Sequence, residues 1–150
     1  HGGAVVNIIA DIWGGMPGMG HSGAARAGML NLTETAACEW AASGVRVNAV
    51  APGWIATSGF DTYPAEFVKL ARSLPRKVPL QRFGNESEVS AAIVFLLSEA
   101  AAFVTGACLR IDGGVPNARP TWPLPVHHNS KAYDGFHLHR PPRSLRDDEE

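Results

Sequence analysis

Ser22-Gly23-Ala24-Ala25-Arg26-Ala27-Gly28 opens the longest helical pattern of the chain, and the runs on either side of that pattern decide the fold. Ala25, Met29, Leu32, Ala36 and Trp40 recur as an apolar stripe beside a more polar one of Asn31, Thr35 and Glu39. The spacing predicts an amphipathic helix from near Ser22 to about Ala42, stopped by Gly44. Upstream, Ala4-Val5-Val6-Asn7-Ile8-Ile9-Ala10 is a nearly continuous β-branched run, the composition of a central parallel strand covered on both faces. Downstream, Val45-Arg46-Val47-Asn48-Ala49-Val50-Ala51 reads as a second strand ending in Pro52-Gly53. A strand, a helix of about six turns and a strand make a right-handed crossover, hence a parallel pair and an α/β fold.

Between the first strand and the helix, Asp11 to Gly20 is rich in Gly, Met and Pro around Trp13. The backbone turns there at a strand's C-terminal end, where open α/β sheets bind ligands. From Trp54 to Gln81 the pattern loosens. Pro64 starts a short helix carrying Phe67, Leu70, Ala71 and Leu74, and Pro75 and Pro79 end it. This segment is either a flap over a site or a plain surface excursion. Asn85 followed by Glu88 is a capping pair for a helix that packs Val89, Ile93, Phe95, Leu96 and Leu97 and ends near Ser98. Ala107-Cys108-Leu109-Arg110-Ile111 forms a third strand, closed by Asp112-Gly113-Gly114.

Beyond Val115 the prolines Pro116, Pro120, Pro123, Pro125, Pro141 and Pro142 and the acidic end Asp147 to Glu150 predict an extended or partly disordered arm. The expected division is residues 1–115 as one α/β portion and 116–150 as a tail, with no internal repeats.

At 150 residues the chain is sized for one domain. Its 45% hydrophobic and 18% charged residues are an ordinary globular balance, and a net charge of -1 gives no electrostatic case for nucleic acid or a membrane surface. No apolar run approaches the roughly 18 residues of a membrane span, and no basic start leads into a hydrophobic signal. A soluble cytoplasmic protein is expected. Cys38 and Cys108 read as buried reduced thiols. His127-His128 and His137-x-His139 lack helical spacing and a carboxylate cluster, so no metal is expected. Because the chain starts at His1 and enters a strand pattern at once, it is expected to be the later part of something longer.

Ser22 and Arg26, four apart, project from one helix face and join a hydroxyl to a cation. The small residues between them suit a helix pressed against a flat ligand, a strand or a second helix. The alternative is a tightly packed helix start whose Arg26 reaches solvent.

Four pieces, in this order, resemble the C-terminal half of a short-chain dehydrogenase/reductase, a doubly wound parallel-sheet Rossmann domain. They are Val5-Val6-Asn7-Ile8-Ile9, the Ser22 to Gly28 stretch, the run from Arg46 through Pro52-Gly53-Trp54-Ile55-Ala56-Thr57, and Phe103-Val104-Thr105-Gly106 leading to Asp112-Gly113-Gly114. The resemblance covers residues 2 to 115. It implies an NADP cofactor, with NAD as the alternative. Pro52, Gly53 and Ile55 match the segment whose backbone meets the nicotinamide end, and Thr57 matches the hydroxyl that helps hold the pyrophosphate.

The catalytic positions depart from the family pattern. Carbonyl reductases of this family end the first strand in serine and carry tyrosine and lysine four apart on the helix. Here those positions are Ala10, Ser22 and Arg26. A guanidinium stays protonated and serves as a fixed charge on a ribose hydroxyl, not as a proton relay. An alcohol is too weak an acid to replace the phenol unaided.

A branch that reduces double bonds in acyl-CoA thioesters is more similar. Dienoyl-CoA reductases place a serine where Ser22 stands, and peroxisomal trans-2-enoyl-CoA reductases resemble this chain over His21 to Gly28, Asn31-Leu32-Thr33 and Glu39-Trp40, and again from Pro125. The resemblance implies hydride addition to a 2-enoyl-CoA-type thioester, with Ser22 a donor to the thioester oxygen. His21 is either the proton donor or a capping or solvent-facing residue. Trp13, Trp54, Phe60, Tyr63 and Phe67 either line an acyl channel or simply pack. Arg72, Arg76, Lys77 and Arg82 either meet CoA phosphates or form a solvated basic face.

Two alternatives stay open: an alcohol/aldehyde dehydrogenase of the same family acting on a terpenoid or similar substrate, and a non-catalytic member acting by binding or oligomerisation. The family implies a homo-oligomer, a dimer or tetramer. The Gly-rich turn that would cradle the pyrophosphate is missing from these 150 residues, so weak nucleotide binding is expected of them alone.

Overall fold

Three parallel strands organise the first of two units. The computed structural model describes residues 2–118, 121–135 and 140–146. The chain forms two units, His1–Pro52 with Val89–Ile111 and Gly53–Glu88 with Asp112–Glu150. In the first, β1 (Gly3–Ile8), β2 (Val45–Pro52) and β3 (Cys108–Ile111) pair in the order β1-β2-β3, and α1 (Gly20–Glu39) connects β1 to β2. Val5 lies opposite Val47 and Ile8 opposite Val50; Ala49 lies opposite Cys108 and Pro52 opposite Ile111. The α/β class and the parallel crossover are those the sequence predicts.

Among the strands of this chain β1 pairs with β2 alone, and Val5 and Ile8 are 38% and 54% exposed. Three sequence expectations are corrected. α1 ends at Glu39 and a separate 3-10 turn, Ala41–Ser43, follows, from which Gly44 exits at φ 71, a conformation only glycine adopts without strain. The buried line of α1 is Thr33, Ala36 and Ala37, whereas Met29, Leu32 and Trp40 are exposed. Ala36 and Ala37 form one cluster with Val47, so the helix meets β2 through its smallest side chains. The expectation of two buried thiols is corrected as well: Cys38, on the helix, is exposed and Cys108 half-buried, both free; burial pushes the Cys108 thiol up, with Arg110 opposing and Glu34 adding to the shift.

Polar side chains complete this unit. Asn7 Nδ2 donates to Thr33 Oγ1 (2.9 Å), which donates to Met29 O (2.8 Å), tying β1 to α1. The Arg46 guanidinium donates to the carbonyls of Leu96 (2.8 Å), Ser98 (3.0 Å) and Val104 (3.2 Å), closing the C-terminal end of α3 (Glu86–Leu97). Fully buried Asn48 donates to Val104 O and accepts from Ala107 N, so the turn leading to β3 is fastened to β2.

The second unit has α2 (Ala65–Ala71), beginning after Pro64, and 3-10 turns at Ser58–Thr62 and Leu74–Lys77. Phe60 sits at its centre, its ring 5.9 Å from Tyr63, 6.5 Å from Phe67 and 5.5 Å from Phe83. Asn85 and Glu88 form the expected reciprocal cap: Glu88 N donates to Asn85 Oδ1 and Asn85 N to Glu88 Oε2, both at 2.9 Å.

The described residues of the tail are extended, with short turns at Val115–Asn117 and Arg143–Leu145, and several of them are tied down. Gln81, held at φ 54, donates from Nε2 to Pro125 O and accepts from His127 N. Arg82 Nε donates to Ser130 Oγ and Asn85 Nδ2 to Tyr133 O. His137, His139 and the acidic end Asp147 to Glu150 lie outside the described residues.

Candidate functional site

In the first unit the candidate residues follow from how β1 hands over to α1. Ile9, almost buried, donates its N–H to Val50 O at 2.9 Å, which extends the ladder to the edge of Ala10. The backbone then turns twice, Gly15 N donating to Ile12 O and Met19 N to Met16 O. Met16 packs on the helix start: a Cβ on Gly23 would stand 3.4 Å from Met16 Cβ.

α1 begins at Gly20, with Met19 as N-cap and no side-chain cap. His21 is therefore an exposed first-turn residue and not a capping one. Ser22 is half-buried beside it, and Arg26, one turn on, is exposed. Among the described residues neither Ser22 nor Arg26 has a side-chain hydrogen bond or ion pair. A free hydroxyl and a free, permanently charged guanidinium thus share one face, as the four-residue spacing predicts.

Sequence reasoning missed the clamp on Trp13. Its N–H donates to Asp11 Oδ1 at 3.3 Å, and the Arg110 guanidinium of β3 lies 5.3 Å from its ring centroid. Such a cation over an indole contributes about 0.5–1 kcal/mol at exposed sites. Nothing local in the sequence marks Arg110 as its partner.

Pro52 closes β2, and in the second unit Gly53 to Thr57 is a fixed run. A Cβ on Gly53 would come 2.7 Å from Asp112 Cα, so only glycine fits against the Asp112 backbone. Buried Asp112 accepts from Gly114 N at 2.8 Å, holding the Asp-Gly-Gly turn. Ile55 bridges Gly84, with Ala56 N donating to Gly84 O and Gly84 N to Trp54 O, both at 2.9 Å. Thr57 caps the 3-10 turn Ser58–Thr62 by accepting from Gly59 N at 3.3 Å, which leaves its hydroxyl hydrogen available. The aromatics Phe60, Tyr63 and Phe67 pack on one another.

Two members of the basic set already have partners. Arg82 is bidentate on Glu88, at 2.9 and 2.6 Å. Burial alone would raise the Glu88 carboxyl; the Arg82 guanidinium and the N–H groups of Asn85 and Tyr133 outweigh it and hold the carboxyl below its ordinary range. Arg72 donates to the carbonyls of Ser144 and Arg146. Among the described residues no three His, Cys, Asp or Glu side chains gather as a metal site, and no helix is long and apolar enough to cross a membrane.

Known proteins are similar to this chain in sequence and fold. A family model described as Enoyl-(Acyl carrier protein) reductase matches residues 1–116. The chain is 42% identical over 116 residues to the peroxisomal 2,4-dienoyl-CoA reductase, (3E)-enoyl-CoA-producing, of Danio rerio, covering 76% of this chain and 38% of that protein. It is 63% identical to the solved citronellol catabolism dehydrogenase of Pseudomonas aeruginosa PAO1, with a TM-score of 0.63 over 77% of this chain and 43% of that one. A chain from Agrobacterium tumefaciens solved with bound NADP is 37% identical, with a TM-score of 0.70 over 79% and 48% of the two chains. The chain spans less than half the length of each of these proteins.

Proposed function

Because the chain belongs to the short-chain dehydrogenase/reductase family, we propose that the whole protein is an NADP-dependent oxidoreductase reducing the carbon–carbon double bond of a 2-enoyl-CoA-type thioester. One observation carries this reading: Ser22 and Arg26 occupy successive turns of α1, and Ala10 follows β1, where carbonyl reduction would call for a phenol, an amine and a hydroxyl.

The reduced cofactor, NADPH, would when bound supply a hydride to the β-carbon, becoming NADP+ and leaving negative charge on the thioester oxygen. Ser22 donates a hydrogen bond to that oxygen, a task that needs a donor in place and not a strong acid. His21, exposed one residue away, or water delivers the proton to the α-carbon. The residues present suit the cofactor. In the first unit Arg26, without a side-chain partner among the described residues, suits a ribose hydroxyl, and Pro52 offers backbone to the nicotinamide end; in the second unit Gly53 and Ile55 match the backbone that meets that end, and the Thr57 hydroxyl hydrogen, with no acceptor among the described residues, suits a pyrophosphate oxygen. The NADP-bound relative supports NADP over NAD. The same reading has residues 1–115 as the oxidoreductase portion, 116–150 as its extended arm, and the protein as a cytoplasmic homo-oligomer.

A second reading, an alcohol/aldehyde dehydrogenase acting on a terpenoid, is favoured by the 63% identity to the citronellol catabolism dehydrogenase. Steady-state assays of the whole enzyme separate the two: the first expects NADPH oxidation with a 2-enoyl-CoA, and turnover of citronellal or citronellol with none of the thioester would overturn it. Ser22→Ala is expected to lower kcat on the thioester about 100-fold; a variant matching the parent would remove Ser22 from the mechanism.

A further inference from the structure

Within the second unit, the end of the tail is gripped by two side chains of the segment that follows Thr57. Both oxygens of the Asp61 carboxylate accept from consecutive backbone N–H groups, Oδ2 from Arg143 (3.1 Å) and Oδ1 from Ser144 (2.8 Å). Arg72, at the C-terminal end of α2, donates from Nε and a terminal nitrogen to Ser144 O (3.2 and 2.9 Å) and from the latter also to Arg146 O (3.2 Å). A carboxylate thus holds the N–H side of one short turn, and a guanidinium holds its carbonyl side. That charge-assisted pairing is the strong class of hydrogen bond. The turn is closed on itself by Arg146, which donates twice to Pro141 O, and Pro142 is buried.

Asp61 and Arg72 stand at opposite ends of the segment they fasten. Asp61 lies in the 3-10 turn that Thr57 caps, and Arg72 ends α2. Between them is a cavity of about 440 Å³ lined by Phe60, Tyr63, Val68, Lys69, Arg72 and Ser144. Lacking a strand ladder, residues 58–72 are held from outside by this one turn and from inside by the Phe60 rings.

We propose that residues 140–146 are a latch that sets the position of the Ser58–Arg72 segment, with Asp61 and Arg72 as its paired positioning residues. The latch is a property of the second unit by itself and goes beyond the proposed reaction. Sequence bears on it weakly, since the clasp joins residues 72 to 83 positions apart. The Asp61 carboxyl is held below its ordinary range chiefly by the Ser144 backbone N–H, in line with a carboxylate engaged as acceptor. The charged groups facing it are Arg143 of the latch and Lys69 and Arg72 of the α2 side.

Hydrogen–deuterium exchange of the full chain tests this. Asp61→Asn and Arg72→Gln should each raise uptake in peptides covering 58–72 and 140–146 about threefold or more, with peptides covering β2 unchanged. The double variant should do no more than either single one, because both remove the same latch. Asp61→Glu, which keeps the charge and both oxygens, should restore most of the protection. Unchanged uptake in 58–72, additive effects, or a rise shared equally by β2 would each overturn the latch. These readouts need no substrate, so a failed enoyl-CoA assay leaves them standing, and a failed latch leaves the proposed reaction standing.

Discussion

Each of the two units is held together internally by a different force. In the first, β2 is hydrogen-bonded on both edges and buries Val47, Ala49, Val50 and Ala51, with Ala36 and Ala37 of α1 against Val47. In the second, no strand runs among the described residues, and Gln81, Arg82, Asn85, Arg72 and Asp61 reach partners 44 to 83 positions away. Apolar burial is non-directional and spreads its contribution over many atoms. Directional polar cross-links concentrate it in a few geometries, each of which one substitution removes.

The contrast can be broken or sharpened by substitution. The largest effect is expected in the first unit: Leu96→Ala, at a side chain only 2% exposed, should destabilise by about 3 kcal/mol, read as the urea midpoint of the whole chain. Gly53→Ala should follow, because the added methyl meets Asp112 backbone atoms that cannot swing aside; about 2 kcal/mol is expected for such overpacking. A thermal midpoint equal to the parent's would show that the turn yields.

Arg82→Ala removes the partner of half-buried Glu88. It should cost about 1 kcal/mol, in the range of a partly solvated pair, and show as faster proteolysis within residues 125–135 before any global unfolding. A loss as large as that of Leu96→Ala would erase the contrast. The same pair carries a pH dependence. With Glu88 held below its ordinary range, its contribution is present above about pH 4 and is lost as pH falls through the lowered value. Acid titration followed by tail proteolysis should find the parent sensitive in that window and Arg82→Ala much less so. The smallest effect is that of Asn85→Ser, whose hydroxyl oxygen still accepts from Glu88 N as a helix cap while the donor to Tyr133 O is removed. It should cost under about 1 kcal/mol, measured as a small shift in midpoint.

How much was legible follows the same division. Strand, helix and strand were readable between Ala4 and Pro52 because the β-branched runs and the helical period are local. The Asn85–Glu88 cap was readable because its partners are three residues apart. The small-residue turn holding Ser22 and Arg26 was readable for the same reason, and the structure adds that both side chains lack partners among the described residues. The buried face of α1 was misplaced: Met29 and Leu32 outrank Thr33 and Ala37 in hydrophobicity, yet the close approach to β2 selects the smaller residues. Arg72 and Arg82 read as a basic set for phosphates or solvent, whereas Arg72 donates to carbonyls of the tail and Arg82 pairs with the Glu88 carboxylate six residues on.

The sequence by itself determined the α/β class, the order of elements, the family and the residue types offered at the candidate site, since each is written in spacings of a few residues. Only the tertiary structure decided which helix face is buried, that the described residues of the tail are fastened, and that Asp112 excludes any side chain at Gly53. These depend on atoms meeting across long stretches of chain, and a hydrogen bond or clash between distant residues imposes no period on either segment for a reader to find.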